Sequence, residues 1–483
     1  RVGSLFSLKR YEEVIETADR ILSLNPTLVD IWMQKGNANV SLGKKPEALV
    51  AFSKVLEIDP NLSDGWVKKG HVLYDMGKIS DAIVAYSRGL DLNPSLLDIW
   101  VRKGDALNEL GKTQDAIVAY TKAVKIDPGH VDGWVKSGRA YYDLGRYQDA
   151  IDAFDNAIAL NQRCIDAFHY KGLSLEKINR VEESIHVFEI LLEIDPANSD
   201  AQYHKGLALA KLGDHQDAIV AFEKTIALRP SAPAWYNKGR SLTEIARYQE
   251  AADAFIRALE MESSYTQANY YLGYSYLKLG KYTEAIESFD RNLENDTSNA
   301  QGHFNRALAL QKLGRNKEAL EAFDKSLIYD PENALAFYHK GQSYVTLEMY
   351  NEAVFSFDQT LHLKPKYTDA RLNKGLALYH LGKLREAIKD FDRTIHENST
   401  NSPAYYHKAR ALSDLKNFTE ANEAYDRALE LNPAFLEAHF HKGLGLLKLS
   451  RFDEAVLSFD LALEIDPNLE PAHYNRGYAL AKT

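Results

Sequence analysis

The sequence predicts an all-α solenoid, a stack of antiparallel helix pairs, from three observations. Four tryptophans, Trp32, Trp66, Trp100 and Trp134, stand 34 residues apart, and the fifth, Trp235, opens the same local pattern. Prolines keep that interval, at Pro26, Pro60, Pro94 and Pro128, then Pro331 and Pro365, then Pro433 and Pro467. Between these marks the apolar residues recur at helical spacing, giving one buried stripe per helix. A fixed period of this length is the mark of a repeat architecture.

With each tryptophan set as position 4, the frame runs from Val29 to Leu469 and slips once, in a unit one residue short near Pro230-Ser231-Ala232-Pro233. Thirteen complete units follow: 29–62, 63–96, 97–130, 131–164, 165–198, 199–231, 232–265, 266–299, 300–333, 334–367, 368–401, 402–435 and 436–469. Residues 1–28 read as a truncated unit, mainly a second helix from Tyr11 to about Leu24, and 470–483 as a first helix without its partner.

Each element of the unit has a physical reason. In the first helix, position 8 is glycine from Gly36 to Gly443, except at Ala307 and Ala409, so a second helix can approach closely. Position 14 is Leu, Ile or Met, and position 15 is often glycine (Gly43, Gly77, Gly111, Gly145, Gly213, Gly280, Gly314, Gly382), which ends a helix. The second helix opens with an acid at position 19, from Glu47 to Glu454, where the helix dipole favours negative charge. Alanine follows at position 20, with Ser184 the exception, and position 24 is always aromatic, from Phe52 to Phe459, filling the space between the helices. All fourteen prolines fall at positions 2, 18 or 32, at helix ends where the ring is tolerated.

This pattern resembles the tetratricopeptide repeat family, and the W…G…A…F…P signature covers essentially the whole chain. Gln162, Ser263, Thr297 and Ser399 depart from the position-32 proline, while Gln202, Asn269 and Arg371 replace the tryptophan. The resemblance implies a right-handed superhelix whose first helices line a concave face and whose second helices form the convex one. Positions 2, 5, 6, 9, 12 and 13 would then point into a groove that binds a protein segment or peptide.

On that face the chain changes character near Cys164. The early units carry Met33, Val67, Val101 and Val135 at position 5, basic Lys68, Arg102 and Lys136 at position 6, and Asp30, Asp64, Asp98 and Asp132 at position 2. The spacing of Asp64–Lys68, Asp98–Arg102 and Asp132–Lys136 also suits pairs within one helix, about 0.3 kcal/mol each. From the sixth unit onward position 5 is aromatic: Tyr203, Tyr236, Tyr270, Phe304, Tyr338, Tyr406, Phe440 and Tyr474, with Leu372 breaking the series. Asn237, Asn305 and Asn373 stand at position 6, and Lys211, Lys278 and Lys312 at position 13. Aromatic anchors beside cations suit a segment with apolar and acidic side chains.

Specialised relatives are weighed on the same residues. A chaperone-tail clamp needs lysine at position 5, which no unit has. An asparagine ladder at position 6 is interrupted by Tyr271, His339, His407 and His441. Pentatricopeptide arrays, which read RNA, are usually basic, whereas this chain has a formal net charge of −10. That balance points away from nucleic acid. No apolar run is long enough to span a membrane, residues 1–28 show no leader pattern, and a cytoplasmic location is the expectation. One cysteine, Cys164, excludes an internal disulfide and reads as an inert loop thiol. No phosphate-cradling loop, GxSxG or HExxH is present. Neither a catalytic site, a cofactor nor a metal is expected, His439 and His441 facing different ways on one helix and His407 lying too far from His441.

The reading is therefore a non-enzymatic scaffold for protein–protein interaction. Two alternatives stand beside it: a targeting arm of a larger enzyme, and end-to-end self-association through the unfinished units, with Leu5, Phe6, Leu8, Tyr478 and Leu480 partly exposed.

Overall fold

A computed structural model describes residues 2–483, the side chains of Val2 and Leu5 lying outside the description. The described residues form 29 helices and no strand. The chain divides into two compact units, Arg1–Ile245 and Ala246–Thr483.

The first unit opens with the short helix Val2–Ser7 and continues with Tyr11–Leu24, then Val29–Ser41 and Lys45–Ile58, Ser63–Asp75 and Ile79–Leu92, Leu97–Glu109 and Thr113–Ile126. It goes on through Val131–Asp143, Tyr147–Leu160, Ile165–Lys177, Val181–Ile194, Ser199–Leu212 and His215–Leu228 to Ala232–Glu244. The second unit runs in the same way from Tyr248–Met261 to Glu470–Leu480. Within each unit every helix packs against the next, and the short turns make neighbours antiparallel.

The turn inside each pair needs one left-handed residue. Gly43, Gly77 and Gly111 supply it at φ near 70°, with 72°, 74° and 71°. Where glycine is missing the backbone keeps the conformation, at Asn179 (62°), Glu348 (58°), Lys416 (63°) and Ser450 (58°). The turn between pairs is held by the residue before the proline. The Asp59 carboxylate accepts the Asn61 N–H at 3.0 Å, and Asn93 does the same for Ser95 at 3.2 Å. These side-chain turns fix where one pair ends and the next begins.

The core lies between the two helices of each pair. The position-24 rings Phe52, Phe154, Phe222 and Phe357 have no exposed surface, nor do the position-20 alanines beside them. A Cβ added to Gly138 would lie 2.5 Å from the Phe154 ring, so glycine here is a condition of the close approach.

Position 4 has a role that residue type conceals. The indole N–H groups of Trp32, Trp66 and Trp100 donate to the carbonyls of Pro26, Pro60 and Pro94, each at 2.9 Å. Arg371 donates to the Pro365 carbonyl, and His439 bonds the Pro433 carbonyl at 2.9 Å. At these two positions a substitution that looks like loosening keeps a donor aimed at the same turn. Toward the chain ends, Leu8, Tyr478 and Leu480 are exposed, and Phe6 meets Tyr11 edge-on with ring centroids 5.3 Å apart. The expectation for Leu5 falls on a side chain outside the described residues.

Candidate functional site

In the unit Arg1–Ile245, the first-helix face is joined from repeat to repeat by polar side chains. The Tyr120 hydroxyl donates to Asp105 at 2.8 Å, and the same carboxylate takes Lys136 of the next repeat at 2.7 Å. Lys136 also meets Asp132 of its own helix at 3.3 Å. The other two same-helix pairs expected from spacing, Asp64–Lys68 and Asp98–Arg102, do not close to ion-pair distance among the described residues. The closer partner of Lys136 lies across the repeat boundary, beyond the reach of a helical-spacing rule. A hydrogen bond to Glu109 pushes the Tyr74 hydroxyl up to about 12. The Arg139 guanidinium sits 4.9 Å from the ring centre of Tyr170. Burial, with Arg102 and Lys68 nearby, lowers His71 to about 4, so this face holds a neutral imidazole at neutral pH.

Further along this unit, the Asn237 amide donates to the Tyr203 hydroxyl at 3.0 Å and to the Pro233 carbonyl at 2.9 Å. Tyr203 leans on the position-24 ring of its own repeat, Phe222, at 6.0 Å. Tyr236 is buried and Lys211 is exposed.

The unit Ala246–Thr483 repeats the same geometry. Asn305 donates to the Tyr270 hydroxyl at 3.1 Å, and Asn373 to Tyr338 at 3.3 Å and to the Asp369 carbonyl at 2.8 Å. Burial pushes the Tyr270 and Tyr338 hydroxyls up to about 12. Tyr270, Phe304, Tyr338 and Phe440 each pack on the position-24 ring of their own repeat at 6.0 Å between centroids, and Tyr406 does so at 6.1 Å. Phe304 and Tyr406 are buried, whereas Tyr270, Tyr338 and Phe440 keep part of their surface. Lys278 and Lys312 are exposed, and the Lys278 ammonium lies 5.2 Å from the Tyr274 ring centre. The position-5 series is thus as much core as surface. A cavity of about 580 Å³ opens beside Tyr338, lined by Leu335, Lys364, Pro365, Lys366 and Tyr367.

Some members of this face carry no constant residue type and escape a sequence reading. Arg410 donates to the Tyr379 hydroxyl at 3.0 Å, and Tyr379 donates to Asp414 of the next repeat at 2.6 Å. Tyr74 with Glu109 occupies the same two positions in the first unit. Tyrosine at position 12 with an acid at the following position 13 was the one available signal. Among the described residues, no group of three or more His, Cys, Asp or Glu is placed to hold a metal ion.

The sequence model of the tetratricopeptide repeat matches residues 67–131, 171–233, 236–300 and 406–470, more than half of the chain. The chain belongs to the tetratricopeptide repeat family. Further tetratricopeptide repeat models match 107–172, 300–333 and 29–62, and one described as anaphase-promoting complex, cyclosome, subunit 3, matches 346–428. Among curated proteins, none matches the sequence. Solved structures that it resembles include MamA, at 30% identity over 34% of this chain and 96% of that one, with a TM-score of 0.33. Naa15/Naa10 bound to HypK-THB is 14% identical over 99% of this chain and 95% of that one, with a TM-score of 0.40. YrrB, described as a TPR protein with an unusual peptide-binding site, is 20% identical over 38% and 95%, with a TM-score of 0.35. As a tetratricopeptide repeat array, the chain is a protein–protein interaction scaffold. No helix among the described residues is long and apolar enough to cross a membrane.

Proposed function

We propose that this tetratricopeptide repeat protein binds an extended segment of a protein partner along its first-helix face and catalyses no reaction there. One observation carries the reading: the polar groups of that face are already bonded to one another across repeats, at Asn237–Tyr203, Asn305–Tyr270 and Asn373–Tyr338. Asn237 and Asn373 each use their amide hydrogens within the array, which leaves the carboxamide oxygen as the group that would accept from a ligand N–H. Side chains held in place beforehand lower the ordering cost of binding. The partly exposed rings of Tyr203, Tyr270, Tyr338 and Phe440 supply apolar surface, and Lys211, Lys278 and Lys312 favour a segment carrying acids. The buried Tyr236, Phe304 and Tyr406 contribute by holding the helices that present the others.

The test is quantitative capture of partners on the native protein and on a Lys211→Glu, Lys278→Glu, Lys312→Glu variant. These three lysines are exposed, so the variant keeps its fold and its melting temperature. A partner held by the native chain and lost by the variant supports the reading. An unchanged set of partners, bound with unchanged affinity, overturns it.

A further inference from the structure

A ladder of ion pairs ties most second helices to the first helix of the following repeat. Position 25 supplies the acid and position 7 the base: Asp19 with Lys35, Asp155 with Lys171, Glu189 with Lys205 and Glu223 with Lys238 in the first unit. In the second, the rungs are Asp290–Arg306, Asp324–Lys340, Asp358–Lys374, Asp392–Lys408, Asp426–Lys442 and Asp460–Arg476. Four rungs are not ionic, and in two of them both positions change together: Ile256 and Leu272 are apolar, and Thr121 and Ser137 are hydroxyl residues.

In the other two, which are adjacent, only the acid is replaced. Lys69 and Lys103 keep the base, while the acid position holds Ser53 and Ser87. Ser87 turns its hydroxyl back to the Ile83 carbonyl at 2.8 Å. Both lysines are half-buried, and they lie 5.6 and 5.2 Å from the ring centres of Trp66 and Trp100. The ring does not replace the acid, because Lys35 and Lys238 have the same tryptophan contact, at 5.1 and 5.3 Å, and a carboxylate as well. Burial lowers the Lys103 ammonium from the usual lysine value, with Asp91 and Asp115 pulling the other way from outside ion-pair distance.

The surface beside these lysines is apolar. Val50, Val84 and Val118 fall at position 22 of three successive repeats and are 59%, 61% and 52% exposed. The next two repeats break the stripe with charge or imidazole, at Asp152 and His186. A furrow of about 350 Å³ joins the two features, with Ser53, Lys69, Lys78 and Asp81 on its polar side and Trp66, Leu73 and Val84 on its apolar side, and Asp81 does not reach ion-pair distance of Lys69 among the described residues.

We propose that this second-helix flank of the first three complete repeats docks an acidic amphipathic helix of a protein partner, whose carboxylates fill the places that Ser53 and Ser87 leave beside Lys69 and Lys103. Charge complementarity chooses the occupant: ten rungs of the array show that this basic position pairs with a carboxylate at position 25, and at Lys69 and Lys103 the base is kept while that carboxylate is missing. Residues i and i+7 of a helix lie on one face about 10.5 Å apart, so a single amphipathic helix can offer two carboxylates beside an apolar stripe that rests on the valines. This surface is separate from the first-helix face.

The probe is a fluorescent amphipathic helical peptide with leucines on one stripe and glutamates at i and i+7, beside a control with glutamine at both places. Binding to the full chain is read by anisotropy at low ionic strength. The native chain is expected to bind the glutamate peptide saturably, and the control about tenfold more weakly. A Ser53→Asp, Ser87→Asp variant supplies the acids internally, so it should melt no lower than the native chain and bind about tenfold more weakly. Lys69→Met, Lys103→Met should lose binding as well, while Lys211→Glu, Lys278→Glu, Lys312→Glu should keep it. Equal binding of both peptides, full binding by the serine-to-aspartate variant, or no saturable binding by the native chain overturns the proposal. So does a native dimer that the serine-to-aspartate variant abolishes, since the occupant is then a second copy.

Discussion

Replacing Gly341 with alanine tests the packing argument at one of its close contacts. A Cβ there would lie 2.6, 2.8 and 2.9 Å from Cε1, Cδ1 and Cζ of Phe357. Carbon atoms rest at about 3.5–4.0 Å, so ring or helix must retreat by about 1 Å. The ring has no exposed surface and is backed by Tyr338, whose centroid is 6.0 Å away, so the helices Ala334–Thr346 and Tyr350–Leu363 must part. Overpacking of this kind costs about 1–3 kcal/mol. Alanine returns about 1 kcal/mol through its helix propensity. The net expectation is a loss of about 1 kcal/mol, confined to that pair because stability in a repeat array is a sum of neighbouring terms. Hydrogen exchange of the native and Gly341→Ala chains reads it locally. The amides of both helices should exchange about fivefold faster, with little change in distant repeats. Slower exchange across the pair would refute the reasoning, because propensity would then outweigh the contact.

Three further outcomes follow from particular residues. Lys374 bridges Asp358 at 2.8 Å and the nearly buried Asp390 at 3.2 Å, so Lys374→Met should cost about 3 kcal/mol in urea unfolding. Lys340→Met, whose partner Asp324 is half exposed, should cost at most about 1 kcal/mol, and equal losses would contradict the distinction. Glu348 holds φ at 58°, so Glu348→Gly should slow local exchange by an amount worth about 1 kcal/mol, and faster exchange would count against a strained turn. Burial and then Arg410 lower His407 to about 4, below its unfolded value near 6.5. Its contribution is complete above the unfolded value and is lost as pH falls from about 6.5 toward 4, by up to about 1.4 kcal/mol per unit. An imidazole NMR titration with a midpoint near 6.5 would exclude it.

Much of the fold was legible because its determinants are local and repeated. The glycine at position 8, the alanine at position 20 and the ring at position 24 describe one contact, and thirteen copies make the pattern unmistakable. The candidate face was legible only as a set of positions. Asn237, Asn305 and Asn373 could be placed on it, but their bonds to Tyr203, Tyr270 and Tyr338 join residues 34 or 35 apart. Tyr379, Arg410 and Asp414 passed unnoticed because no two repeats need the same trio. At position 4 the sequence showed tryptophan giving way to arginine and histidine, where the structure shows a donor retained.

By itself, then, the sequence determined the helix pairs, their turns and the rings between them, since close approach within a pair depends on residue size at fixed spacing. Only the tertiary structure decided which charges meet and which rings are buried. Lys136 has an acid on its own helix at 3.3 Å and takes a closer one from the preceding repeat at 2.7 Å. Tyr236 and Tyr270 hold the same position, yet one is buried and the other partly exposed. Side chains this long reach across a repeat boundary, so their partners are set by how neighbouring pairs stack.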